Sequence, residues 1–169
     1  MSNLLTIQPL SKKTFLSFGD VLETQDAGRR MINEGNTERF HALARAQIDE
    51  GGTAIVSLFR GQPRQFPFEV AMMERHPLGS QAFYPIDNRP WLVIVADDEN
   101  GQPGRPVAFL ADGRQGVNYA ANVWHHPLMA LDVVSDFLVV DRDGPGANLE
   151  EYTYAAPYLI ESVGGIDTE

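Results

Sequence analysis

The chain has 169 residues, 43% of them hydrophobic, which suffices for one folded domain with a buried core. Thirteen basic residues against 23 acidic ones give a net charge of −10, which argues against an extended nucleic-acid or anionic-membrane surface but not against a small anion held by one or two arginines. The absence of cysteine excludes disulfides, thiolate nucleophiles and cysteine-ligated zinc.

In chain order, residues 1–10 lack a signal-peptide pattern, and no later run approaches the ~20 apolar residues of a spanning helix. A soluble cytoplasmic protein is therefore expected. Ser11 predicts the cap of a short helix reaching Phe18, stopped by Gly19. Residues 37–43 read either as a helical turn or two or as strand. The alternating segment 44–49, the Gly51-Gly52 turn and the β-branched run 53–60 together predict a hairpin. Residues 65–74 alternate as a half-buried strand, and Trp91–Ala96 is a continuous apolar run. Val107–Ala111, Gly116–Tyr119 and residues 137–140 complete the strand set. The tail from 149 to 169 is mixed, and Gly164-Gly165 predicts a loose end. Many short strands punctuated by Gly, Pro and Asn turns indicate a sandwich or barrel with few short helices. No linker divides the chain, so residues 1–169 are expected to form a single domain.

Three of the four histidines fall at apparent strand ends, in Glu74-Arg75-His76-Pro77-Leu78 and Val123-Trp124-His125-His126-Pro127. Counting back from His76 by twos gives Glu74, Met72, Val70 and Phe68, so an apolar face ends in an acid and an imidazole. A buried carboxylate must be paired, hydrogen-bonded or protonated, and a half-buried imidazole suits proton transfer or metal binding. The blander readings are a core histidine and a Glu74 ion pair with Arg75 or Arg114. By the same alternation His125 points inward and His126 outward. Upstream, Arg39 is a candidate clamp for a substrate carboxylate, since a guanidinium grips one through two parallel hydrogen bonds. Asn33 is a candidate for holding an amide, although a turn role before Gly35 competes. Turn and edge roles are expected for Asn118, Tyr119 and Asn122.

The pattern Glu74-x-His76, then Gln81, then His125 resembles the cupin barrel, in which an early strand supplies His-x-His and a carboxylate and a later strand another His. Here the first imidazole is replaced by Glu74 and the carboxylate by Gln81, a poor ligand for a divalent ion. Glu74, His76 and His125 could still hold a metal.

Over residues 9–142 the chain resembles the ureidoglycolate lyase family. The matching stretches are Pro9-Leu10-Ser11, Phe18-Gly19-Asp20-Val21, Ile32-Asn33-x-Gly35 and Glu38-Arg39-x-His41-x-Leu43-Ala44. More specific are Glu74-Arg75-His76-Pro77-Leu78-Gly79-x-Gln81-Ala82-Phe83 and Gly116-Val117-Asn118-Tyr119-x-x-Asn122-Val123-Trp124-His125-His126-Pro127-Leu128, closed by Asp136-Phe137-Leu138 and Asp141-Arg142. The resemblance implies a cupin-like β-barrel, a homodimer, an association with nickel, and cleavage of (S)-ureidoglycolate to glyoxylate and urea within allantoin degradation. Under it, His76, His125 and Glu74 are the expected acid–base groups. Arg39 is expected on the substrate carboxylate, and Gln81 or Asn33 on the urea amide. A metal-dependent cupin oxygenase or isomerase and a non-catalytic binder of small carboxylates are the rival readings.

Overall fold

A computed structural model describes residues 3–164 and is mainly β. In the first half of the chain the elements are β1 (Ile7–Pro9), α1 (Lys12–Phe15), β2 (Gly19–Leu22), β3 (Arg29–Ile32), β4 (Thr37–Phe40), β5 (Thr53–Gly61), β6 (Phe68–Arg75) and β7 (Gln81–Pro85). The second half carries β8 (Trp91–Ala96), β9 (Asp98–Glu99), β10 (Gln102–Pro103), β11 (Val107–Ala111), β12 (Gly116–Tyr119), β13 (Trp124–His125), β14 (Met129–Ala130), β15 (Ser135–Asp143) and β16 (Glu150–Ile160).

Two curled sheets face each other in a cupin-like half-barrel. The first runs β1-β11-β8-β13-β6-β16 with β14 beside β8, and the second runs β2-β12-β7-β15-β5. Alternation makes β8 two-sided. Trp91, Val93 and Val95 enter the core between the sheets with Phe83, Phe109, Val117, Tyr119 and Phe137. Leu92, Ile94 and Ala96 enter a second core on the other face with Val70, Met73, Trp124, Met129 and Ile160. A strand buried on both faces reads as an unbroken apolar run, which is why Trp91–Ala96 showed no alternation.

Several expectations are corrected. Ser11 does cap α1, its Oγ accepting from the Thr14 amide at 3.2 Å, but the α-helix stops at Phe15. Residues 37–40 form β4, not helical turns; β4 pairs with β3 around a tip where Asn33 and Glu34 take left-handed backbone. The 44–60 hairpin does not form. Ile48 makes only an isolated bridge to Gly79, while β5 pairs along its whole length with β15. Asp49 instead binds the buried Arg142 guanidinium, so this segment is held by side-chain chemistry that alternation does not report. The mixed tail contains the eleven-residue β16, whose register against β6 shifts between Thr153 and Tyr158, and along which Tyr152, Tyr154 and Tyr158 pack edge to face. The same irregularity breaks the count by twos on β6, because Val70 is buried with Met73. The end at Gly165 lies outside the described residues. No helix among them is long and apolar enough to cross a membrane.

Candidate active site

The site forms at the corner where β6 and β13 of one sheet meet β7 and β12 of the other. Glu74 pairs with His125 across the β6–β13 ladder, and His125 also pairs with Val95, which fixes both side chains on the inward face. His76 follows β6 directly. Glu74 Oε1 lies 3.9 Å from His76 Nε2 and 3.7 Å from His125 Nε2, and the two ring centroids are 5.2 Å apart. Tyr119, opposite Gln81 on β12, stacks on His125 with ring centroids 4.2 Å apart and planes 12° from parallel.

The other ring nitrogens set the protonation pattern. His76 Nδ1 lies 2.8 Å from the Asn148 carbonyl and His125 Nδ1 2.9 Å from the Val123 carbonyl. A carbonyl only accepts, so each Nδ1 carries the hydrogen and each ring turns its Nε2 toward Glu74. Both Nε2 atoms are buried without a hydrogen-bond partner. Burial lowers the His125 pKa to about 3. Burial also raises that of Glu74, against the pull of His76. It raises the Tyr119 phenol as well.

Three electron-rich atoms thus converge at separations too long for hydrogen bonds. Among the described residues, Glu74, His76 and His125 form a group able to hold a metal ion, with ligand atoms within 4.8 Å of one another. The donor set of two imidazoles and one carboxylate fits a borderline divalent cation with open positions. Backbone carbonyls on the far nitrogens are the usual support for such ligands.

Glu74 lines the floor of a cleft of about 540 Å³, together with Phe59, Arg60, Arg64, Gln81, Phe83 and Leu128. Gln81 Nε2 donates to Asp141 Oδ2 at 3.1 Å. Arg60 is held by a two-pronged pair with Asp136. Arg64 lies 5.7 Å above the Phe68 ring and has no ion pair among the described residues.

The structure brings Glu74, His76, His125 and Gln81 together but not Arg39 or Asn33. Those two sit on the β3–β4 arm, exposed, with Asn33 bonded to Thr37 and Arg39 beside His41. The suspected ion pairs of Glu74 do not form either: Arg75 binds Asp98 and Glu150, and Arg114 binds Asp112. His126 is buried edge-on to Phe68, away from the triad, with its pKa lowered to about 4 by burial. Asn118 and Tyr119, expected in turn or edge roles, are instead buried on β12, a strand paired on both sides, and sequence reasoning passed over Arg64 and Asp141. Alternation with the apolar Val117 was the available signal for Tyr119; nothing local marked the other two.

Comparison with known proteins agrees with this geometry. The family model described as ureidoglycolate lyase matches residues 2–161. A protein of Rhizobium meliloti strain 1021 named ureidoglycolate lyase 1 is 60% identical over 95% of this chain and 95% of its own. Ureidoglycolate lyases of Rhizobium leguminosarum bv. trifolii and Agrobacterium fabrum are 60% and 57% identical, over 95% of this chain and 98% and 97% of theirs. The chain belongs to the ureidoglycolate lyase family.

Proposed function

We propose that this chain is a ureidoglycolate lyase that cleaves (S)-ureidoglycolate to glyoxylate and urea. The observation that carries the reading is the convergence of the His76 and His125 Nε2 atoms on Glu74 Oε1, with Glu74 itself lining an arginine-bearing cleft. Ureidoglycolate is a carbinolamide, one carbon bearing a hydroxyl, a carboxylate and the urea nitrogen. Its cleavage moves the hydroxyl proton away, turns C–O into C=O, breaks C–N and returns a proton to the departing nitrogen. No water is consumed.

The residues divide this work. His76 Nε2, less deeply buried than His125, takes the hydroxyl proton. Glu74, held toward its protonated form by burial, protonates the urea nitrogen. His125, kept neutral by burial and fixed by the Tyr119 ring, orients the other two. A divalent cation seated on Glu74, His76 and His125 would occupy those same lone pairs and would instead supply Lewis-acid polarisation of the hydroxyl, and the family resemblance favours nickel. On the cleft wall Arg64 is the cation open to the substrate carboxylate, and Gln81 faces the urea end. Arg39 and Asn33 serve only if a second copy delivers its arm.

A homodimer is part of the reading. The outward face of the second sheet carries Val56, Leu58 and Leu138, exposed and adjacent across the β5–β15 ladder. Such a face on a free chain invites association. A cytoplasmic place in allantoin degradation completes the proposal. The test is release of glyoxylate and urea from each enantiomer, with and without chelator. No release from either enantiomer, with metal restored, refutes it.

A further inference from the structure

Among the described residues four buried side-chain atoms lack a hydrogen-bond partner. Two are the histidine nitrogens of the triad. The other two, Gln81 Oε1 and Asp141 Oδ1, belong to side chains that are hydrogen-bonded to each other. The β7–β15 register pairs Val139 with Phe83 and Val140 with Ala82, so its next step sets Asp141 opposite Gln81 on the inward face. Gln81 is buried and lines the same cleft as Glu74.

The polarity of this pair is fixed. A carboxylate only accepts, so the Gln81 amide must turn its NH2 toward Asp141, where the 3.1 Å bond forms, and present its carbonyl elsewhere. What remains is one acceptor without a donor on each of two side chains bonded to each other. Leaving one buried acceptor unsatisfied costs about 1–3 kcal/mol, and more when it is charged. A molecule bearing two hydrogens on one nitrogen removes both costs at once.

We propose that Gln81 Oε1 and Asp141 Oδ1 read the terminal amino group of a ureido substrate, which makes Asp141 a specificity-determining residue. The inference rests on the lyase reading and adds the group that selects the carbamoyl end. A terminal –C(=O)NH2 supplies two N–H donors; a methyl in the same place supplies none and strands both acceptors. Buried sites reject an analogue most strongly in that circumstance. A glyoxylate-like end offers only acceptors, so the pair also sets orientation and leaves the carboxylate to the cationic wall at Arg64.

The test compares two stable ligands by calorimetry on the metal-loaded protein. N-carbamoylglycine retains the terminal amino group, and N-acetylglycine replaces it with methyl. Wild type should bind the first at least about tenfold more tightly. Asp141→Asn should shrink that preference to below about threefold while affinity for N-acetylglycine stays within twofold. Equal binding of the two ligands by wild type, or of neither, overturns the proposal whether or not any variant folds. So does an Asp141→Asn protein that weakens both ligands alike. Gln81→Met should lose the preference with its metal content unchanged; a fall in bound metal would make Oε1 a cation ligand instead, and overturn its reading role. Ureidoglycolate turnover by wild type is measured in parallel. Discrimination without turnover supports the acceptor pair and refutes only the lyase reading.

Discussion

β8 and β5 are chemically alike and meet opposite fates. Trp91–Ala96 and Thr53–Gly61 are both rich in β-branched and large apolar residues, yet every residue of β8 is buried while Val56 and Leu58 on β5 stay 69% and 68% exposed. The difference is position. β8 is flanked by β11 on one side and β13 and β14 on the other, with a core on each face. β5 is an edge strand bonded only to β15. Apolar composition therefore reports that a strand will be covered, not by what. On β8 the cover is this chain. On β5 it awaits something else, and an uncovered apolar edge is a feature that folded proteins otherwise avoid.

Substitution should separate the two strands sharply. Val93→Asp buries a charge between the sheets and is expected to cost more than about 4 kcal/mol, enough to prevent folding. Loss of the cooperative thermal transition is the readout, and a folded Val93→Asp protein would break the comparison.

The floor of the cleft belongs to the covered region, but its damage should be chemical. Glu74→Gln and His125→Ala are expected to lower kcat/KM by about 10²–10⁴-fold while the thermal transition survives. Turnover within threefold of wild type in both variants would remove the triad from the mechanism.

Covered histidines also make stability depend on acid. His125 and His126 have folded pKa values lowered to about 3 and about 4, against an unfolded value near 6.5. Below pH 6.5 the unfolded chain therefore binds more protons than the folded one. Their contribution is complete above that pH and is lost progressively down to pH 3–4. The loss should be on the order of a few kcal/mol, seen as a falling Tm between pH 7 and pH 4. A flat Tm across that interval contradicts the burial argument.

On β5 the expected effects are smaller. Leu58→Lys should change the stability of a single chain by no more than about 0.5 kcal/mol yet shift the oligomer toward monomer in light scattering. An unchanged mass would mean that this face is not the interface. The smallest effect belongs to the arm. Arg39→Ala should raise KM by severalfold if a second copy delivers the β3–β4 hairpin to the cleft, and only at protein concentrations that support dimers. No change at any concentration leaves carboxylate binding to Arg64.

These contrasts also explain what the residues disclosed in advance. Trp91–Ala96, Val107–Ala111 and Gly116–Tyr119 were readable because burial imposes composition locally. Glu74 and His76 were readable as one face because spacing by two is a property of a strand's own geometry. The partnership of β5 with β15 was not, since their pairing joins segments some eighty residues apart through no shared local signal. Asp49 looked like the end of a hairpin strand because its partner Arg142 is equally remote. The same limit concealed Asp141: it meets Gln81 only through the register of two long-separated strands. Arg39 had the right chemistry, and only the topology shows that it stands on an arm outside the cleft of its own chain.

The bond from His76 to Asn148 ties chemistry to a distant stretch of backbone. Asn148 accepts from the His76 ring through its carbonyl and from the Leu78 amide through its side chain. It stands in the connection from β15 to β16, where Gly144 and Gly146 both adopt positive φ. That connection is thus a tuning peg for one imidazole. Lengthening or stiffening it would swing the ring and alter catalysis without touching any group that meets the substrate.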